Sequence, residues 1–189
     1  MSKEPHSVSL VEGQVWLRVA DSSWEEPLDP TYADRVGGRW NSPGDGPTLY
    51  LWDTVEVAQA QIKRLLDPTP VDVTDLADTA PFVLVRAKLP ARQRVADASS
   101  DTGLRSLGLP ASYPRRPNKD KVTWRECRRA ARTVRAAGLR GVLARSAVAE
   151  VTEGRELAWF PAARARAVSV GESLPFASWR SSTPANVGP

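Results

Sequence analysis

The chain has one cysteine, Cys127, and one histidine, His6, among 189 residues. A lone cysteine excludes an internal disulfide and makes the cytoplasm the expected compartment. One Cys and one His do not make a zinc site or a Cys–His dyad, and a Ser–His–Asp triad would have to recruit His6 from a chain end. No run of eighteen apolar residues exists, so no membrane span is expected. The opening Met1-Ser2-Lys3-Glu4-Pro5-His6 lacks the apolar core of a signal peptide. Charge is not extreme: the formal net charge is +4. That suits an anionic ligand, a nucleic acid or an acidic partner without choosing among them.

What the chain does hold is tryptophan, seven in all, with 16 prolines and 12 glycines. The apolar fraction of 41% supports one folded core. Residues 1–10 and 181–189 read as flexible tails around one compact domain over 11–180. Val15–Val19 reads as a strand, 20–47 as a long loop, and Thr48–Trp52 as a strand. Asp53 and Glu56 have capping-box spacing before a helix whose stripe is Val55, Ala58, Ile62, Leu65 and Leu66. Phe82–Ala87, Gly141–Ala147, Glu156–Phe160 and Ala167–Val170 read as strands, and 104–110 as a short helix and turn. Residues 110–121 read as a basic loop. Thr123 and Glu126 form a second capping box, opening a helix that stops near Gly138. Its apolar stripe is Trp124, Cys127, Ala131 and Val134, and its opposite face carries Arg125, Arg128, Arg129, Arg132 and Arg135. A basic face is usually solvated; the sharper reading is an acidic partner. No aromatic residues interleave with these arginines, so nucleic acid is not expected. Short strands with a few helices make the fold α+β, with a mixed or antiparallel β core and flanking helices.

The candidate site begins at Gly37-Gly38-Arg39-Trp40-Asn41. Glycines let backbone approach a ligand, and an arginine between them offers a planar fork for phosphate. Trp40 and Tyr50 supply flat faces for a base or a pyridinium ring. Arg18, the Gly-Gly-Arg-Trp segment, Tyr50, Arg145-Ser146 and Glu156-Leu157-Ala158-Trp159-Phe160-Pro161 follow in order. This ordered set, with Leu104–Tyr113 and the helix before Gly141, resembles the RES domain family over roughly residues 14–161. The family takes its name from Arg, Glu and Ser positions.

The resemblance implies an ADP-ribosyltransferase-like fold and an enzyme that cleaves NAD between nicotinamide and ribose. NAD would be the substrate, with no cofactor and no metal. The acceptor would be water, inorganic phosphate or, in an alternative reading, a macromolecule. A toxin role with an Xre-like antitoxin is implied too; a homo-oligomer stays open, and no membrane partner is implied. On this reading Arg18 and Arg39 bind phosphate oxygens or a phosphate acceptor, with Gly38 giving close approach. Tyr50 and Trp40 pack on the nicotinamide or its ribose, and Ser146 hydrogen-bonds the ribose or amide. The family's Glu falls on the helix after the Tyr strand, in an Ala-x-x-Glu setting. Here that setting is Ala58-Gln59-Ala60-Gln61, so Gln61 stands at the acid's position. Glutamine hydrogen-bonds but brings no negative charge, which leaves a weakened enzyme or an inactive binding module as alternatives. Glu56 lies five residues before Gln61, about 140° round the helix, and faces elsewhere. Glu150, Glu153 and Glu156 are further carboxylates, and the sequence selects none of them.

Overall fold

The computed structural model describes residues 4–66, 76–147 and 153–181. One mixed sheet organises them, with strand order β1-β5-β6-β7-β3-β2-β4-β8 and β9 added beside β4. In chain order the strands are β1 (Ser7–Ser9), β2 (Val15–Asp21), β3 (Leu49–Trp52), β4 (Phe82–Lys88), β5 (Arg94–Ala98), β6 (Gly141–Arg145), β7 (Arg155–Trp159), β8 (Val168–Ser169) and β9 (Leu174–Pro175). The helices are α1 (Thr31–Val36), α2 (Val55–Leu66), α3 (Asp101–Ser106), α4 (Trp124–Ala136) and α5 (Phe176–Trp179). Only β5 and β6 pair in parallel, because α3 and α4 cross over between them. The α+β expectation holds.

Side chains alternate across each strand, and this alternation sorts the core. Leu17 opposes Trp52, Trp52 opposes Glu156, and Glu156 opposes Ala144, so these four share one face. On that face α3 and α4 cover Ala96, Ala98, Val142, Ala144 and Ala158, while α2 and α5 cover Leu17 and Leu84. Trp16, Leu49, Leu51, Leu143, Leu157 and Trp159 form the core of the other face. Burying a large apolar side chain contributes about 1.5–3 kcal/mol. Trp16, Trp40, Trp159 and Trp179 are fully buried, so four of the tryptophans are core anchors.

Several local expectations change. Residues 7–9, expected in a tail, pair with β5, and the His6 backbone carbonyl accepts from Asp97. The 20–47 segment includes the short helix α1. Thr54, not Asp53, caps α2: its hydroxyl accepts from the Val57 amide, and its carbonyl accepts from Ala58. The Asp53 carboxylate instead takes the backbone amide and guanidinium of Arg155. Glu56 does not close a capping box; its Oε1 is buried without a hydrogen-bond partner among the described residues. The expected stripe residues Leu65 and Leu66 lie where side chains are not described, and 182–189 lies outside the described residues.

The second capping box forms as expected. Thr123 and Glu126 exchange side chain-to-backbone hydrogen bonds at the start of α4. Trp124, however, is exposed, and the Arg128 guanidinium sits 5.2 Å from its ring centroid. Cys127, Ala130, Ala131 and Val134 form the buried stripe.

Candidate functional site

The sheet comes apart at one place. β2 pairs with β4 through seven registered residues, from Val15–Lys88 to Asp21–Phe82. Against β3 it keeps a single pair, Leu17–Trp52. Continued pairing would set Arg18 against Leu51 and Val19 against Tyr50, and the strands have parted by then. Across this gap the Arg18 guanidinium donates to the Tyr50 carbonyl at 3.4 Å.

Tyr50 joins the gap to the glycine-rich segment. Its hydroxyl donates to Asn41 Oδ1 and accepts from the Trp40 amide, both at 2.8 Å. A methyl group on Gly38 would overlap the Tyr50 ring and hydroxyl, so this close approach requires glycine. Burial pushes the Tyr50 phenol well above its ordinary range, against the Trp40 amide bond, so it stays a neutral donor.

Helix α4 holds the segment from the other side. Arg128 Nε donates to the Gly38 carbonyl at 2.8 Å. Arg135 donates to the carbonyls of Gly46 and Pro47 and to the Thr48 hydroxyl. Its guanidinium also lies 3.7 Å from the Phe160 ring centroid, and Arg132 pairs with Asp45 at 3.8 Å. The solvated-face reading of these arginines is therefore corrected for two of the five, Arg128 and Arg135, which fix the loop that carries Arg39; Arg132 pairs with Asp45 but stays exposed. Positions 128, 132 and 135 share one helix face by their spacing of four and three, a signal open to sequence reasoning.

Trp40 is not a ligand wall. Its ring is fully buried against Tyr113, with centroids 5.8 Å apart, and leaves no free face for a base. Its Nε1 donates to Glu156 Oε1 at 3.1 Å. The Tyr113 hydroxyl donates to the same oxygen at 3.4 Å, and Arg39 Nε lies 3.8 Å from it. Burial raises the Glu156 pKa; Arg39 chiefly opposes this, followed by Trp40. Burial alone would weaken the Arg39 charge, but Tyr113, Glu156 and Cys127 together more than offset it and hold its pKa above the ordinary value. Cys127 lies under this group as a buried thiol, pushed by desolvation up to about 11. Of the carboxylates left open above, Glu156 is thus the one brought to a site arginine; Glu153 is exposed and Glu150 lies outside the described residues.

Arg18 has a different setting. It shares the alternation of Trp16, on the opposite face of β2 from Leu17 and α2. It is 6% exposed, and its Nε has no hydrogen-bond partner among the described residues. Desolvation lowers its pKa to about 10, opposed by the charge of Asp29 and by Tyr32. Gln61 is half-buried on α2, three residues before Arg64, whose charge acts on Glu156. Helix α2, which carries Gln61, packs through Val55, Ala58 and Ile62 on the Leu17 face of the sheet, the face that also holds Glu156. Ser146 is buried just after β6, two residues beyond the Ala144 that opposes Glu156, and its amide donates to the Gly154 carbonyl at 2.8 Å. Tyr50, Gln61 and Ser146 are all carried by elements on or beside that one face, and Arg18 reaches their group only through the gap.

No group of three metal-ligating side chains occurs among the described residues, and no helix among them is long and apolar enough to cross a membrane.

This architecture defines a class: a mixed-sheet α+β domain opened between two neighbouring strands beside a buried arginine. The RES domain model matches residues 15–178, and the chain belongs to that family. The crystal structure of the M. tuberculosis MbcT–MbcA toxin–antitoxin complex contains a chain of the same fold. The TM-score is 0.66 at 18% identity, over 93% of this chain and 92% of that one. No curated relative matches the sequence.

Proposed function

We propose that the chain is a RES-type toxin that cleaves NAD at the nicotinamide–ribose bond. The observation that carries this reading is the parting of β2 from β3, with a buried, incompletely bonded guanidinium at its edge. A desolvated arginine with an unused donor is the group that would hold a diphosphate. Tyr50, neutral and fixed by Asn41 and Trp40, would border the ribose and nicotinamide, with Ser146 as a hydrogen-bonding partner. Water or inorganic phosphate would attack the ribose carbon as the C–N bond breaks and nicotinamide leaves neutral. Orientation of the bound dinucleotide would supply much of the rate.

Gln61 supports a slow version of this enzyme. It offers a ribose hydroxyl a hydrogen bond but no charge to an oxocarbenium-like transition state. By analogy with one lost oxyanion-hole donor, the cost is about 2.7–4 kcal/mol, two to three orders of magnitude in rate. Glu156 does not replace the missing acid, because its carboxylate is enclosed by Trp40, Tyr113 and Arg39. The same substitution favours, as a second reading, a binding module that has lost catalysis. A partner antitoxin, Xre-like by the family resemblance, completes the proposal; the likeness to a chain of a toxin–antitoxin complex supports it.

The test is nicotinamide release from NAD, with and without phosphate, by the natural chain, Arg18→Met and Gln61→Glu. Release that falls in Arg18→Met and rises in Gln61→Glu is expected. No release from any of the three, at high protein concentration, overturns the reading.

A further inference from the structure

Beside the gap lies an aromatic pair with no part in the chemistry above. Trp24 and Tyr32 are 38% and 43% exposed, yet their rings pack in a tilted pair, with centroids 5.1 Å apart and planes 40° from parallel. The Arg18 guanidinium carbon lies 5.9 Å from the Trp24 centroid. This loop is stiffened from within. The Asp21 carboxylate accepts from the Ser23 amide and hydroxyl, and the Trp24 amide donates to the Asp21 carbonyl. The Asp29 carboxylate accepts from the Thr31 amide and hydroxyl. Both Asp29 oxygens are therefore engaged by Thr31, and the Arg18 Nε–H stays unpartnered among the described residues. A preformed, water-facing aromatic platform stands next to a buried cation with a donor to offer.

We propose that Trp24, Tyr32 and Arg18 form the subsite for the adenylate end of the dinucleotide: the base stacks on Trp24–Tyr32 and an adjoining phosphate oxygen accepts from Arg18. The inference rests on the reading of the gap as an NAD site and extends it to Trp24 and Tyr32. The choice of end follows from the alternation of the sheet. Tyr50 and helix α2, which carries Gln61, lie on one side of it, and Arg18 starts from the other. A dinucleotide whose scissile bond lies by Tyr50 and Gln61 has only its other end left for the Trp24 platform. Stacking on an aromatic ring is tolerant of base identity, so the platform supplies affinity, and Arg18 sets where the phosphate stops.

Binding of ADP-ribose, AMP and nicotinamide mononucleotide to the full chain tests this, by titration calorimetry and tryptophan fluorescence. The variants are Trp24→Leu, Tyr32→Leu and Tyr32→Phe, all at exposed positions, with circular dichroism confirming the fold. Trp24→Leu is expected to weaken ADP-ribose and AMP roughly tenfold, from the stacking lost. It should leave nicotinamide mononucleotide as in the natural chain and raise KM for NAD more than it lowers kcat. Tyr32→Phe should retain binding that Tyr32→Leu loses. Unchanged ADP-ribose binding in both leucine variants, with NAD still bound by the natural chain, overturns the subsite and leaves the NAD reading standing. A loss confined to nicotinamide mononucleotide overturns it too. If the natural chain binds none of the three nucleotides, the NAD reading itself fails and the subsite falls with it.

Discussion

Arg39 and Arg18 looked equivalent as phosphate ligands, and the fold treats them oppositely. Arg39 lies 3.8 Å from a buried carboxylate, over Cys127 and beside Tyr113, on a loop clamped by Arg128 and Arg135. Its charge is answered within the protein. Arg18 is buried as deeply, but it has one long hydrogen bond to a carbonyl, an unused Nε–H and two water-facing rings for neighbours. Its charge is held away from water without full compensation. A paired buried cation stabilises the carboxylate beside it; an under-paired one is poised for an anion from outside.

Substitutions can break this contrast. Arg39→Ala is expected to have the largest effect, about 3 kcal/mol of stability, because it strands Glu156 as an unpaired buried carboxylate. Chemical denaturation reads the loss. It should shrink in acid, where Glu156 takes up its proton, and most of it should return in Arg39→Ala combined with Glu156→Gln. A loss that is independent of pH and of Glu156 would dissolve the distinction between the two arginines.

Arg18→Met should instead cost function. Unfolding free energy should change by less than about 1 kcal/mol, since a lone desolvated charge is removed. In kcat/KM for nicotinamide release the expected loss is about 2 kcal/mol, roughly thirtyfold. If the denaturation midpoint falls as far as in Arg39→Ala, Arg18 is a structural residue as well.

Gly38→Ala sharpens the comparison from the loop between them. The added methyl would displace the Tyr50 hydroxyl, breaking its bonds to Asn41 and the Trp40 amide. We expect roughly 1–2 kcal/mol of destabilisation together with reduced activity. Full stability and full activity in this variant would show that Tyr50 has no fixed position to lose.

The smallest effect is a slope. The folded-state pKa of Glu156 lies above its ordinary value of 4.5, so folding favours its protonated form. That contribution is complete below the unfolded pKa and is lost as pH rises through the folded one. Above pH 4.5 the natural chain should lose stability relative to Glu156→Gln, by at most about 1.4 kcal/mol per pH unit. Parallel pH profiles for the two proteins would mean that Glu156 ionises in place at no cost.

Much of this was legible in advance where the signal is local. The Thr123–Glu126 capping box formed because both partners lie within one helical turn. β2, β3, β6 and β7 appeared close to their expected bounds, since apolar runs between turn residues need no distant information. β1 and β5 were not legible: Ser7–Ser9 has no apolar pattern of its own and becomes a strand only because β5 offers it an edge. The Asp53–Glu56 pattern misled because Asp53 had a stronger claimant, Arg155, on the neighbouring strand β7. Trp24 carries no signal of its own in the sequence, because seven tryptophans look alike in a string and exposure separates them only after folding.

The sequence by itself determined the family and that residue 61 is a glutamine, because both depend on residue identity at ordered positions. It also determined a single α+β domain, since composition and short-range periodicity bound that choice. Only the tertiary structure decided that Glu156, over a hundred residues away, neutralises Arg39, that Trp40 is core, and that Arg18 opens toward Trp24 and Tyr32. Charge pairing and burial act through space at a few ångströms, and strand register, not chain order, sets which residues come that close.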